Sequence, residues 1–288
     1  MSIDVSVITS CYKMKNYIEY FLKNLPKQTF FNRMEVILDL NEPKKKEIEL
    51  VKRFQKKYPG KLKYIIVKKV DPLPISMNRC INNSKGKFLT IWNVDDMRTD
   101  NSIELQYNKI KNNKIDFVYG NYTIVKEFGS ETGKFIDHKK FDRSELTKSM
   151  ILGPFFMFKK SLCNKIGYFD EQFKVAADFD FAIRLGLFAK GTMITKNLGY
   201  YLNAQKGLST RPNSLQPIER DVIYMRYGIF DKIENKNTPY FVNYEIKSFL
   251  KDKGFISVSS YFRNYGSFIK KKILQYENNK KNKMLIFG

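Results

Sequence analysis

The run Gly86-Lys87-Phe88-Leu89-Thr90-Ile91-Trp92-Asn93-Val94-Asp95-Asp96 decides how this chain is read. Six of the seven residues from Phe88 to Val94 are apolar, β-branched or aromatic, which predicts a strand buried on both faces, with Asn93 out of character. The strand is expected to stop on two adjacent carboxylates. Open α/β sheets bind ligands beyond the carboxyl ends of their strands, so Asp95 and Asp96 offer hard oxygen ligands where Mg²⁺ or Mn²⁺ would hold a diphosphate. The same residues also fit an acidic turn before a helix, with Asp100 capping the periodic stretch Ser102 to Lys111. The rest of the chain has to choose between the two readings.

Upstream, Asp4 to Thr9 predicts a first strand that ends polar at Ser10-Cys11-Tyr12. Ile18, Phe21, Leu22 and Leu25 recur at helical spacing before Pro26. Glu35 to Asn41 predicts a second strand, and Ile48, Val51, Phe54 and Tyr58 give the next helix one apolar stripe. Leu62 to Val67 predicts a third strand and Ile75 to Asn83 a short helix. Such alternation argues for βαβ units and a parallel, doubly wound sheet. No Gly-x-Gly-x-x-Gly follows the first strand and no Walker loop occurs, which disfavours an ordinary dinucleotide or ATP site. If strands one, two and four are neighbours, Ser10, Asp39, Asn41, Asp95 and Asp96 line one crevice, with Asp39 or Asn41 placed to hydrogen-bond a base.

The second half reads differently. Ile115 to Val125 predicts a strand or hairpin, Lys126 to Lys140 a polar loop, and Gly153 to Phe158 a short buried strand. Phe181, Leu185 and Phe188 mark a helix, and Asp178 and Asp180 precede or open it. One of the two suffices as an N-cap. The other is available to deprotonate an attacking hydroxyl, because His138 is the only histidine and carboxylates must do any acid-base work.

The 288 residues suffice for one large α/β domain plus an appendage, or for two small domains, and 43% hydrophobic content supports a real core. With 52 Lys+Arg against 29 Asp+Glu the formal charge is +23, which attracts polyanions: nucleic acid, an anionic membrane face or a phosphorylated substrate. Three separated cysteines, Cys11, Cys80 and Cys163, argue for a reducing compartment. No signal-peptide core and no run of 18 apolar residues is present, so a cytoplasmic location is expected.

Taken together, Ile8 to Tyr12, Asp39-Leu40-Asn41, Ser76 to Ile81 with Lys85 to Phe88, Asn93 to Asp96, and Gly167 to Glu171 with Ala177 to Asp180 resemble the family 2 glycosyltransferases of GT-A fold. The resemblance runs from about residue 3 to about 210. It implies a Rossmann-like nucleotide-binding half with a mostly parallel central sheet (1–98), an acceptor half (99–210) and a basic helical C-terminal extension (211–288). By this resemblance a nucleotide-sugar, a UDP-sugar by family habit, contacts Ser10, Tyr12, Asp39, Asn41, Asn78, Asn93 and Asp95. Asp95 and Asp96 correspond to the carboxylates that bind Mn²⁺ or Mg²⁺, and Asp178 to the general base of an inverting single displacement onto a glycan, lipid-linked or protein acceptor. The chain departs from the family at Asn93, where Asp is usual, at Met77, Cys80 and Ala177, and near Asn203-Ala204-Gln205, where a metal-binding histidine is often found.

Beyond Arg211 the resemblance fades. Ile218 to Phe230 predicts a helix, and Val258, Tyr261, Phe262, Tyr265, Phe268, Ile269 and Ile273 fall on one helical stripe flanked by Lys270-Lys271-Lys272 and Lys280-Lys281. A basic amphipathic helix of this kind fits peripheral contact with the inner membrane surface, but packing on the catalytic part or on a second subunit is the favoured reading, because aromatic stripes are usually core. The competing functions are a sugar-nucleotide-binding protein without turnover and a polyanion- or nucleic-acid-binding protein. Basic residues spread along the chain without a recognised motif, so no specific nucleic acid is expected.

Overall fold

Strand and helix alternate through the first hundred residues as β1 (Val5–Tyr12), α1 (Ile18–Asn24), β2 (Met34–Asn41), α2 (Lys45–Lys57), β3 (Leu62–Val67), α3 (Leu73–Asn83) and β4 (Phe88–Ile91). The computed structural model describes residues 2–111, 114–142, 150–203, 207, 214–226, 247–250 and 254–257. The order continues with β5 (Met97–Arg98), α4 (Ser102–Ile110), β6 (Phe117–Val125), β7 (Lys134–Ile136), β8 (Met157–Lys159), α5 (Cys163–Ile166), α6 (Ala177–Phe188), β9 (Gly191–Leu202) and α7 (Gln216–Arg226). A separate hairpin pairs β10 (Lys247–Leu250) with β11 (Gly254–Ser257).

The main sheet runs β3-β2-β1-β4-β8-β6-β9-β5, with β7 added at the edge of β6. Its first four strands are parallel, so strands one, two and four are neighbours as the crevice requires. Strand β8 turns the sheet mixed, lying antiparallel to both β4 and β6, while β6 and β9 run parallel. Two apolar layers cover it. Ile8, Ile37, Leu89 and Phe158 face one, with α3 and α6, and Val7, Val36, Leu38 and Phe88 face the other, with α1, α2 and α4.

A close approach explains Gly86. A Cβ there would lie 2.5 Å from the Ser6 nitrogen, a distance no side chain tolerates. The space is used instead by a knot in which the Gly86 N–H donates to Ser6 Oγ (2.8 Å) and Ser6 Oγ donates to Glu35 Oε1 (2.6 Å). This knot fixes the entry into β4.

Several expectations change in the folded chain. Strand β4 ends at Ile91, three residues before the expected limit, because Trp92 turns into the core against Phe21 and donates its Nε1–H to the Asp96 carbonyl (3.0 Å). Asp100 does not cap α4; the capping position is Asn101, without a side-chain bond, and the Ser102 N–H is taken by the Thr99 carbonyl. The polar loop Lys126 to Lys140 contains β7, and the strand expected at Gly153 to Phe158 is Met157–Lys159. Strand β9 has no counterpart in the sequence reading. Its Lys, Asn and Gly residues hide a 12-residue strand that only pairing with β6 and β5 reveals. The predicted helix Ile218 to Phe230 begins earlier, at Gln216, and is described to Arg226. The stripe Val258 to Ile273 and the lysines 270–272 and 280–281 lie outside the described residues.

Candidate active site at the carboxyl ends of β1, β2 and β4

Register alone brings the first group together. Ser10 pairs with Asp39 and Tyr12 with Asn41 across the last turns of β1 and β2. Both strands leave the sheet through a non-glycine residue in the left-handed region, Lys13 (φ 56°) and Glu42 (φ 47°), which costs about 1 kcal/mol each. Strain of this kind is tolerated where the surrounding contacts over-determine the turn.

Those contacts come from α3. Ser76 Oγ donates to Ser10 Oγ (2.8 Å), and Arg79 donates to Asp39 Oδ2 through Nε (2.6 Å) and to Oδ1 through NH2 (3.2 Å). The second NH of Arg79 reaches Asp71 Oδ2 (2.6 Å), while Asn41 Nδ2 donates to Asp39 Oδ1 (2.7 Å) and Asn41 Oδ1 accepts the Asp71 N–H (3.2 Å). Asp39 is fully buried and Asn41 almost so; Arg79 remains 28% exposed. The two carboxylates at Arg79 hold its guanidinium well above the usual range, with the Asp39 hydrogen bond the main cause. Arg79 and Asp71 were not among the expected site residues, because Arg79 ties Asp71 to Asp39, forty positions before Arg79, and such a pairing leaves no periodic signal.

The turn after β4 divides its acids. Asp96 is buried; its Oδ2 accepts Asn93 Nδ2 (3.0 Å) and its Oδ1 the N–H of Leu202 at the end of β9 (3.1 Å). Burial, then repulsion from Asp95, holds the Asp96 carboxyl well above the usual carboxylate range. Asp95 stays partly open, burial also raises it, and among the described residues no basic side chain pairs with it. The two adjacent carboxylates thus face different surroundings. Beneath them Arg98, buried on β5, donates to Thr90 Oγ1 (2.6 Å), the Ile91 carbonyl (2.8 Å) and Gln106 Oε1 (2.9 Å), and burial pushes its guanidinium down to about 9. Arg98 and Gln106 hold the end of β4 from below, a task invisible in the sequence.

Asn78 is turned away from the strand ends. Its amide accepts the Phe169 N–H (3.0 Å) and donates to the Phe169 carbonyl (2.9 Å) and Glu171 Oε1 (2.8 Å), so both its polar groups are spent on the segment that leads to α6. Through it, the helix that touches Ser10 and Asp39 also holds the loop that delivers Asp178.

On α6 the two aspartates separate as well. Asp180 is buried and pairs with Arg184 (2.8 Å), which also donates to the Ile166 and Tyr168 carbonyls. Asp178 is reached by solvent and accepts the neighbouring Phe179 N–H (2.8 Å), with no basic side chain paired to it among the described residues. Protein encloses it on its remaining sides, and this desolvation pushes its carboxyl up to about 6. Neither aspartate caps the helix. Asn203 is exposed at the end of β9, and Gln205 lies outside the described residues.

The sequence model of glycosyl transferase family 2 matches residues 6–167, which run from the second residue of β1 through β8 and include the carboxyl ends of β1, β2 and β4. The chain belongs to glycosyltransferase family 2. As a glycosyltransferase it is 28% identical over 251 residues to an uncharacterized glycosyltransferase of Methanocaldococcus jannaschii, covering 83% of this chain and 82% of that protein. It is 24% identical over 149 residues to the Escherichia coli UDP-Glc:alpha-D-GlcNAc-diphosphoundecaprenol beta-1,3-glucosyltransferase WfgD, covering 52% of this chain and 57% of that one. Its fold is similar to that of S. aureus TarS 1–349 in complex with UDP-GlcNAc, with TM-score 0.65 at 16% identity over 96% of this chain and 72% of TarS. It also resembles the Pyrobaculum calidifontis mannosyltransferase PcManGT in complex with GDP-Man and Mn²⁺, with TM-score 0.57 at 15% identity over 82% of this chain and 66% of that one. The enzyme therefore has the GT-A fold. None of its described helices is long and apolar enough to cross a membrane.

Among the described residues no three His, Cys, Asp or Glu side chains converge as a metal cage. A partly buried carboxylate without a cationic partner nevertheless suits a divalent ion that takes one protein ligand and fills its remaining positions with substrate phosphates and water. Asp95 meets that description.

Proposed function

We propose that this glycosyltransferase moves a sugar from a uridine diphosphate donor to a hydroxyl of a lipid-linked glycan, with inversion at the anomeric carbon. One observation supports the reading above all. Asp39, Asp96, Asp180 and Glu219 are buried and each is held by protein donors, whereas Asp95 and Asp178 have no cationic partner among the described residues. Two carboxylates kept open in a chain of charge +23 call for a cation on one and a proton on the other.

In this reading the pocket of Ser10, Tyr12, Asp39 and Asn41 receives the nucleoside, with Arg79 holding Asp39 in one orientation. Asp95 would hold Mn²⁺ or Mg²⁺, which when bound neutralises charge on the departing diphosphate. Asp96 and Asn93 fix the turn that aims Asp95. The acceptor oxygen gives its proton to Asp178 as it bonds to the anomeric carbon, while the bond from that carbon to the diphosphate oxygen breaks. General base catalysis of this kind is worth roughly 10²–10⁴-fold, and a carboxyl near 6 is a stronger base than an ordinary aspartate yet ionised at neutral pH. The UDP-Glc donor of WfgD and the UDP-GlcNAc in the TarS complex support uridine, and the diphosphoundecaprenol acceptor of WfgD supports a lipid-linked acceptor. The Mn²⁺ of the mannosyltransferase complex supports a metal. With nine Lys+Arg against two acids from Lys251 to Gly288, the tail would hold the enzyme peripherally at an anionic membrane face in the cytoplasm.

The test is release of nucleoside diphosphate from UDP-, GDP- and dTDP-sugars, with and without Mn²⁺, by wild type, Asp95→Ala and Asp178→Ala. Metal-dependent release from a UDP-sugar, lost in both variants, is the expected result. Neither binding nor release of any donor overturns the reading.

A further inference from the structure

Glu219, on α7, is fully buried. Its Oε1 accepts the N–H of Lys174 (2.8 Å), and its Oε2 accepts those of Val175 and Ala176 (2.8 Å each). Three consecutive backbone donors on one carboxylate form a closed anion nest. Ala176 is also where α6 starts: its carbonyl accepts the N–H groups of Phe179 (3.1 Å) and Asp180 (3.3 Å). The peptide on one side of Ala176 is therefore clamped by Glu219 and the other side begins the turn that carries Asp178. The same face of α7 buries Ile223 and Tyr224, and the Tyr224 ring meets Phe179 edge-on with centroids 5.7 Å apart. Helix α6 has no side-chain cap of its own, so this grip comes from outside the family match, which ends at residue 167.

We propose that Glu219 is a positioning residue for the base Asp178, and that α7 is thereby part of the catalytic machinery. The proposal rests on the reading of Asp178 as the base. A carboxylate that only satisfied three N–H groups would affect stability and nothing else. Glu219 does more, since its negative charge also reaches Asp178 and favours the protonated form. The other charged or titratable groups nearby are Arg220, which donates to Tyr224 Oη (3.0 Å), exposed Lys174, and Asp180, which is committed to Arg184. Loss of the Glu219 charge thus loosens the turn and makes Asp178 a weaker base at the same time.

The experiment uses the full chain with Mn²⁺ and, as probe, the UDP-sugar from which wild type releases UDP into water. Glu219→Gln, Glu219→Asp and Asp178→Asn are compared by kcat, KM, the pH dependence of kcat/KM, and hydrogen exchange at residues 174–176. Glu219→Gln is expected to lower kcat 10- to 100-fold with KM within twofold, to move the acid limb to lower pH, and to speed exchange at 174–176. Glu219→Asp, which keeps the charge, is expected to leave the acid limb in place and recover part of kcat; it carries the test if the glutamine variant does not fold. An unchanged kcat, or an unmoved acid limb in Glu219→Gln, overturns the proposal. Full activity in Asp178→Asn overturns instead the reading beneath it, and release from no donor by wild type removes both.

Discussion

Arg79 grips Asp39 with two hydrogen bonds, at 2.6 and 3.2 Å, while its remaining nitrogen holds Asp71 at 2.6 Å. The carboxylate, at the carboxyl end of β2, is fully buried, and this guanidinium is its cationic partner. Arg79→Ala leaves that charge without its partner, which costs about 1–3 kcal/mol, less than for a pair wholly out of water because Arg79 itself is partly exposed. The expected outcome is a lower melting temperature together with at least tenfold weaker UDP binding by calorimetry. Unchanged UDP affinity would remove Asp39 from the nucleoside pocket.

Asp95 and Asp96 answer differently to the same substitution. Asp96→Ala deprives the Leu202 N–H and the Asn93 amide of their acceptor, and a fall in stability of about 1–3 kcal/mol is expected. Asp95→Ala removes a desolvated carboxylate without a cationic partner, so thermal stability is expected to hold or rise slightly while Mn²⁺-dependent donor release disappears. Thermal melts of both variants, with and without Mn²⁺, check the pair; equal destabilisation by the two would contradict the division drawn from the geometry.

With Asp178 as the proposed base, both activity and stability are expected to depend on pH. Its carboxyl is raised from the usual 3.8 to about 6, so kcat/KM is expected to climb with pH through about 6 as the base ionises. The sign for stability is opposite. Between about 4 and 6 the folded chain binds more protons than the unfolded one, so the contribution is fully present below 3.8 and is lost as pH rises through about 6. Asp178→Asn should match wild type in acid and melt higher than wild type above pH 6. A variant that melts lower at neutral pH would show that the carboxylate is structural.

The buried pair Asp180 and Arg184, at 2.8 Å with neither side chain exposed, ties α6 to the Ile166 and Tyr168 carbonyls. Asp180→Ala leaves an unpaired buried cation and is expected to destabilise by about 3–5 kcal/mol, whereas a double replacement by Leu and Met should recover much of the loss. Chemical denaturation of the two variants measures it. Equal losses in the single and double variants would mean that packing, not charge, decides this position.

Much of the enzyme was legible in its residues. The alternation of apolar runs and helical stripes up to Phe88 foretold four parallel strands, because a strand buried on both faces and a helix with one apolar face are each local patterns. Polar side chains marked the strand ends that register brings side by side, since a core strand admits them only where it stops. Which acid does what was beyond the sequence. Asp95 and Asp96 are adjacent and chemically identical, as are Asp178 and Asp180 but for one residue between them; only the Leu202 N–H, brought in from the end of β9, and the Arg184 guanidinium, one turn along the same helix, tell the members of each pair apart. Arg79, Arg98 and Glu219 escaped notice for the same reason. A buried charge is recognised by its partner, and the partners of these three are contributed by other turns of the chain. Periodicity and composition thus determined the layers and the strand ends at which polar residues gather, while tertiary contact decided which carboxylates are spent on structure and which are left without a cationic partner among the described residues.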